Sequence, residues 1–343
     1  NFEQALLDQG IDTDDALNHL ISRADAEAQV GRLGISGRQI SDLTGIEAFV
    51  NITELQAGDN QLTKIDVSQN TELLKLWVYF NQLTALDLTN NTKIQRLSAG
   101  GNQISSFDSS SLIDMHTLLI WQNNLTSLDL TNNVNLTWLS AENNQLSDIN
   151  LEANTLLDKI YLHSNLLTGI NVMNNVVVTS LFLMDNSLQT INVSNNPKLT
   201  ALNIDNNTQL VSLDMRNGNN INIEFFDAEN TQNLTCINVD TSISQVMIDS
   251  GKTFSEDCGD FVYIPDANFE QALIDIGIDN DGIVNGAILR SDAEAAIELN
   301  VSNPLFTSDD RYDNDLIVNV TEKIADLTGI EAFVNITKLS CWG

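Results

Sequence analysis

Leu73-Leu-Lys-Leu-Trp-Val-Tyr-Phe-Asn81-Gln-Leu83 carries the pattern L-x-x-L-x-L-x-x-N-x-L, with Leu73, Leu76, Val78 and Leu83 as apolar members and Asn81 as the polar one. The pattern returns at a 21-residue step, and its asparagines stand in register as Asn60, Asn81, Asn102, Asn123, Asn144, Asn165, Asn186 and Asn207. A fixed repeat of this size is the signature of a solenoid, whose coils bury their apolar sides only by stacking on one another. Such a fold offers a long surface more readily than a closed pocket. The search for function therefore starts on that surface.

Within a repeat the second half echoes the first, as in Leu83-x-x-Leu86-x-Leu88-x-x-Asn91, and no helical period intervenes. Both sides of each coil are expected to be extended, with a parallel sheet on one face and short strands or turns opposite. Leu76, Leu97, Leu118, Leu139, Ile160 and Leu181 should stack as one buried column, since side chains alternate at period two. The asparagines should turn the chain and bond to backbone groups of neighbouring coils. From Ile52 the pattern is regular to Asn196. Beyond it Leu199, Leu202, Leu210 and Leu213 read as two half-repeats, Asn217-Gly-Asn-Asn220 as a loop, and Asp240 to Phe261 leaves the pattern.

The chain also repeats on a larger scale. Asn1-Phe-Glu-Gln-Ala-Leu-Leu-Asp8 returns almost unchanged at 268–275, and Asp42 to Thr53 returns intact at Asp326 to Thr337. The second copy carries an insertion that includes Asn303 to Asn319. Helical patterns at Phe2 to Asp8 and Ala24 to Val30, and again at Phe269 to Asp275 and Asp292 to Leu299, read as caps over the first apolar coil. The organisation expected is a helical cap and first atypical repeat at 1–50, the solenoid at 51–240, a closing segment and linker at 241–267 with Pro265 at the joint, and the start of a second module at 268–343. A tandem array is the expected parent.

These repeats resemble the 21-residue bacterial leucine-rich repeats of the IRREKO type and those of internalin J, most closely at Leu339-Ser-Cys341-Trp-Gly343, where cysteine takes a core leucine position. Asn233 to Asp240, Ser255 to Gly259 and Ile264 to Leu273 resemble large surface proteins exported by type IX secretion. The fold implied is a leucine-rich-repeat solenoid, α/β by its cap helices and mostly β in its repeats. The role implied is adhesion or binding outside the cell, at a bacterial surface or as a secreted protein. Internalin J's own target is not implied, because a regular cysteine ladder is missing here and fold does not fix function.

Charge narrows the partners. The 343 residues hold 47 acidic and 15 basic side chains, a net charge of −32. Such a surface repels phosphate backbones and anionic membranes, so nucleic acid is not an expected partner, and without a run of about 18 apolar residues no membrane insertion is expected. Of the three cysteines, Cys236 and Cys258 lie just past the last repeats, where a bridge would close the end of the solenoid. Cys341 occupies an inward position and reads as a buried thiol.

Candidate ligand-binding residues are those beside the inward leucines: Trp77, Tyr79, Phe80, His116, Trp121, Trp138, Tyr161, His163 and Phe182, with Trp342 repeating the place of Trp121. Aromatic residues make up only 6% of the chain, so their concentration at outward positions marks an interaction surface, or else a ladder of rings packing on one another. Trp77, Trp121, Trp138 and Tyr161 are expected to line one strip. Its acidic surroundings would favour neutral glycans or basic protein patches.

On the opposite side Asp66, Asp87, Asp108 and Asp129, then Asn150, Asn171 and Asn192, form a column whose like charges calcium could relieve, although solvated carboxylates are the favoured account and the change to asparagine lowers the repulsion without any metal. Asp279-Asn-Asp-Gly282 resembles part of a calcium loop, with Asp12, Asp14 and Asp15 at the matching place in the first cap; the bidentate glutamate such a loop wants is missing. No other cofactor is expected. Three histidines and no hydrolase, metalloprotease or phosphate-loop motif leave catalysis without support. The expected role is a non-catalytic recognition or adhesion module for a protein or glycan. The alternative is a structural spacer or filament-forming tandem repeat that contacts neighbouring copies of itself.

Overall fold

The computed structural model describes residues 1–14, 16–256, 258, 261–264, 266–280, 284, 287–301 and 324–340. Asp15, Pro265, Asp281, Gly282, the loop from Asn303 to Asn319 and Cys341-Trp342-Gly343 lie outside the described residues.

Two short helices, α1 (Phe2–Leu7) and α2 (Arg23–Ala28), open the chain. Strands follow as β1 (Gly31–Gly34), β2 (Ile52–Gln56), β3 (Lys75–Trp77), β4 (Arg96–Ser98), β5 (Thr117–Leu119), β6 (Trp138–Ser140) and β7 (Lys159–Tyr161). Next come β8 (Ser180–Phe182), β9 (Thr190–Asn192), β10 (Ala201–Asn203), β11 (Ser212–Asp214), β12 (Phe225–Asp227), β13 (Ile237–Asn238) and β14 (Phe254–Ser255). Ten of them, β1 to β8 with β10 and β12, form one parallel sheet, and β9, β11, β13 and β14 form a second sheet of four. The second sheet follows from the echo of each half-repeat: opposite the main sheet the chain is extended, and near the C-terminal end it closes into a ladder.

The register is that of the repeat. Leu76 pairs with Leu97, Leu97 with Leu118, Leu118 with Leu139, Leu139 with Ile160 and Ile160 with Leu181. All six are 0% exposed. Hydrogen bonding between coils continues past the three-residue strands, with Val78 N–H donating to the Ser98 carbonyl at 2.8 Å and Phe80 N–H to that of Gly100 at 2.9 Å.

Asparagine holds the turns because its amide is donor and acceptor at once. Asn81 Nδ2 donates to the carbonyls of Ala57 at 3.0 Å, one coil back, and Val78 at 3.1 Å, while its Oδ1 accepts from Leu62 N–H at 2.9 Å. The same bonds recur at Asn102, Asn123, Asn144, Asn165, Asn186 and Asn207. A second ladder, which the spacing hinted at only through Asn91, runs through Asn70, Asn91, Asn133, Asn154, Asn175 and Asn196, all 0% exposed. In the coil where Leu112 interrupts it, Ser109 replaces an inward leucine and its Oγ lies 2.6 Å from Asn133 Oδ1.

The two half-repeats expected at Leu199 with Leu202 and at Leu210 with Leu213 are the two sides of one coil: Leu202 pairs with Leu181 on the main sheet and Leu213 with Ile191 on the second. The backbone ladder keeps its register, and the extra residues bulge at turns. The cap helix expected to reach Val30 ends at Ala28, and the one expected from Asp292 to Leu299 is α5 (Arg290–Ala295), with Leu299 in a strand. There, pairing into the sheet overrides the helical period. The segment from Asp240 leaves the period yet contributes α3 (Gln245–Asp249) and β14, which extends the second sheet.

Cys236 is bonded to Cys258 across a Cα separation of 5.7 Å, pinning this closing segment. A bridge over a loop of about 20 residues contributes about 3 kcal/mol on the chain-entropy account. The apolar residues gather in two clusters, one between Phe2 and Met247 and one between Val262 and Phe333. The second contains α4 (Ala267–Asp275), and its Phe269–Phe333 ring pair at 6.5 Å repeats the Phe2–Phe49 pair at 6.1 Å.

The acidic column has a local use. Asp87 Oδ1 accepts from Thr89 N–H at 3.0 Å and Thr89 Oγ1 at 2.8 Å, and Asp66, Asp108 and Asp129 cap their own turns likewise. Asn150, Asn171 and Asn192 do the same through Oδ1, so Asp and Asn are interchangeable in this turn. Hydrogen bonds from the backbone and hydroxyl of the next-but-one residue hold these four carboxyls below the ordinary 3.8. A depressed folded-state value gives stability that is present above the unfolded value and lost as pH falls through the folded one. The expected result is that converting all four to asparagine flattens the loss of stability below about pH 4, while the melt at pH 7 moves little, as surface changes do. Acid titration followed by circular dichroism checks this; an unchanged acid limb counts against it.

Candidate binding face

Residues flanking the inward column of the main sheet project outward and stack in columns with the repeat. Arg32, Glu54, Lys75, Arg96, Thr117, Trp138 and Lys159 form one column by strand register. Gln56, Trp77, Ser98, Leu119, Ser140, Tyr161 and Phe182 form the next. Two residues on, ahead of each ladder asparagine, come Gly58, Tyr79, Gly100, Trp121, Glu142 and His163.

Glycine decides how the rings lie. A Cβ on Gly58 would stand 2.7 Å from the Tyr79 ring, one on Gly100 2.3 Å from that of Trp121, and one on Gly101 2.5 Å from that of Phe80. Each ring therefore lies down on the bare backbone of a neighbouring coil. Phe80 meets Tyr79 edge-on at 5.9 Å and Trp121 at 5.1 Å, which joins the three. Trp77 stands beside them, half-buried, with Ser98 as its register partner.

Phe80 is the costly member. The position before each ladder asparagine is left-handed, with φ of 56° at Asp59, 49° at Gln122, 55° at Asn143 and 48° at Phe80. Asn, Asp and Gly tolerate that region, whereas a bulky ring there carries strain of about 1–3 kcal/mol. Phe80 is nevertheless 50% exposed, so burial does not account for it.

A second group lies toward the C-terminal end. Trp138 meets Tyr161 edge-on at 6.3 Å, Tyr161 stacks on Phe182 at 4.9 Å, and Phe182 packs against Phe225 at 5.8 Å. Lys159 Nζ sits 4.9 Å above the Trp138 ring, a cation–π contact. Phe225 was invisible to a 21-residue reading because Ala201 pairs with it across a longer step. Among the described residues no ring contact joins the two groups. His163 shares the column of Tyr79 and Trp121. His116 does not: it is exposed and precedes β5, in line with Gln95 and Thr137.

Charge on this face differs from the bulk. In and beside β3 to β5 the outward positions include Lys75, Arg96 and His116, while Asp59 and Glu142 flank the ring group one coil to either side and Asp114 lies in the turn that leads into β5. Lys75 pairs with Glu54 at 3.2 Å, and Arg96 is exposed with no ion-pair partner among the described residues.

No protein-family model matches the chain, and no curated protein matches it. Solved structures do. The functional domain of internalin J from Listeria monocytogenes, described as including a cysteine ladder, aligns with 66% of this chain and 63% of its own length, with a TM-score of 0.50 and 23% identity. The fold is a leucine-rich-repeat solenoid. The chain spans less than two thirds of that internalin J structure. A leucine-rich-repeat protein of Leptospira interrogans matches over 66% of this chain and 78% of its own, with a TM-score of 0.49 and 16% identity. An internalin F of Listeria monocytogenes matches over 75% and 95%, with a TM-score of 0.40 and 19% identity. In this leucine-rich-repeat solenoid the inter-coil ladders are asparagine, and the described pair Cys236 and Cys258 forms a bridge at the closing end. No described helix is long and apolar enough to cross a membrane.

Proposed function

We propose that the main-sheet face of this solenoid is a non-catalytic recognition surface for a protein or glycan outside the cell, centred on Trp77, Tyr79, Phe80 and Trp121. The observation that carries this reading is Phe80, a half-exposed ring kept at a strained left-handed position, with Gly100 and Gly101 clearing the backbone beneath Trp121 and Phe80. Strain without burial is the mark of a position kept for something other than packing. Rings already held in place lose little freedom on binding, which is how preorganised aromatic anchors gain affinity. Flat rings suit sugar faces and protein side chains alike, and the acidic surroundings favour neutral glycans or basic protein patches.

The test separates binding from folding. Native protein is screened on a glycan array and against a panel of extracellular proteins, then compared with Phe80→Asn and Trp121→Ala. Each variant should weaken whatever binding is found by about 30-fold or more, the scale of a hot spot of about 2 kcal/mol. Phe80→Asn should meanwhile leave stability within about 1 kcal/mol, because relief of left-handed strain offsets the lost ring contacts. If it destabilises by more than about 2 kcal/mol with binding intact, the rings are structural.

A second reading, a spacer in a tandem array, is supported by the second apolar cluster, whose Phe269–Phe333 pair duplicates the first cap. Solution scattering on two joined modules distinguishes a rigid rod from modules that move independently.

A further inference from the structure

Tyr79 and Trp121 lie flat on the sheet. A Cβ on Gly58 would stand 2.7, 2.7 and 2.9 Å from three atoms of the Tyr79 ring, and one on Gly100 2.3, 2.5 and 2.5 Å from three of Trp121. Near-equal distances to three ring atoms place each glycine under a ring face and not at its edge. Gly58 and Gly100 are buried, while Tyr79 and Trp121 are half-buried, so each ring turns its other face outward. Phe80 stands nearly upright beside them, at 79° to Tyr79 and 76° to Trp121.

The coils fix the spacing of the two flat rings. Asp59 N–H donates to the Tyr79 carbonyl at 2.8 Å, Phe80 N–H to that of Gly100 at 2.9 Å and Gly101 N–H to that of Trp121 at 2.9 Å. Glycine and ring alternate along this column, so the rings stand two coils apart, about 10 Å at the usual strand spacing. A protein hot spot is seated in a closed pocket, whereas two level faces in line suit a ligand that is itself a row of flat, C–H-lined rings. An extended chain of β-1,4-linked gluco-configured sugars is such a ligand. Its substituents are equatorial, its faces carry axial C–H groups, and each sugar is turned over relative to the last. Like faces therefore recur at every second sugar, close to two strand spacings.

Resting on the reading of this face as a recognition surface, we infer that it binds a neutral β-1,4-linked glycan of gluco configuration, with alternate sugars stacked on Tyr79 and Trp121 and Phe80 as a wall along one side. Asp59 is exposed beside the Tyr79 platform, and Glu142 follows Trp121 in the same column. Carboxylates placed there accept from sugar hydroxyls and repel a uronic-acid chain, which restricts the ligand to neutral sugars.

The test titrates the full chain by calorimetry with the β-1,4-linked di-, tri- and hexasaccharides of glucose and of N-acetylglucosamine. An α-1,4-linked glucose hexasaccharide and a β-1,4-linked mannuronate oligomer are the controls. One of the two β-1,4 series should bind, the trisaccharide about 30-fold more tightly than the disaccharide, because only three sugars reach both rings and the second contact is then intramolecular. Tyr79→Ala and Trp121→Ala should each weaken the trisaccharide by about 30-fold and abolish that step. Gly100→Ala should do the same with every ring retained, because its Cβ lifts Trp121 off the sheet. Circular dichroism melts accompany each variant; one that fails to fold is replaced by Tyr79→Leu or Trp121→Leu, which keeps an apolar side chain over the glycine without a flat face. No binding of either series overturns the glycan assignment, and the recognition surface stands apart from it wherever a protein ligand is lost in Trp121→Ala. Glycan binding that survives all the substitutions overturns both. Equal affinity for either control, or no step between disaccharide and trisaccharide, overturns the match of ring spacing to linkage.

Discussion

Replacing Asn144 with alanine should cost about 3–5 kcal/mol, near the upper limit for a single substitution. Its Nδ2 reaches the carbonyls of Ile120 and Ala141, each at 3.1 Å, and its Oδ1 accepts from Leu125 N–H at 3.0 Å. Alanine removes these bonds and leaves backbone groups of two coils unpaired in the interior, at about 1–3 kcal/mol for each group that finds no new partner. The position lies mid-solenoid, where stability is a sum of nearest-neighbour terms, so the damage should also uncouple the coils on either side. Urea unfolding followed by circular dichroism should show a large loss and a broadened or divided transition. A single sharp transition shifted by less than about 1 kcal/mol would mean that the ladder is incidental to stability.

Leu139→Ala should cost about 2–5 kcal/mol, the range for truncating a buried leucine that leaves a cavity. Leu139 pairs with Leu118 on one side and Ile160 on the other, and all three are 0% exposed. Neighbouring coils cannot collapse into the gap without breaking the ladder that sets their spacing, so the loss should fall in the upper half of that range. Leu156→Ala makes the control: it lies in the turn that leads into the next coil and is 48% exposed, and should change stability by about 0.5 kcal/mol or less. Equal effects at the two positions would reject the register.

Much of the fold was legible because a solenoid translates period directly into contact. Each asparagine from Asn60 to Asn207 bonds the backbone of the coil before it, so spacing alone identifies the stacked columns, the inward leucines and the turns. The Cys236–Cys258 bridge was legible for a related reason: both cysteines lie where the period ends and an open core must be closed. Legibility failed where the step changed. Phe225 joined the second ring group only once the ladder, rather than the count of residues, fixed its partner. The cap helices ran too long on paper because a helical period does not reveal where the chain is captured by a sheet.

The sequence by itself determined the coil, its inward and outward positions and the identity of the residues presented on the sheet face, since these depend on local alternation and a repeated step. Only the tertiary structure decided how those rings lie, that Phe80 is strained, and that Asp12 is buried. The reason is physical. Ring packing depends on what the next coil lacks, as at Gly100 and Gly101, and the cost of a carboxylate depends on what surrounds it in space. Neither is a property of the residue's own place in the repeat.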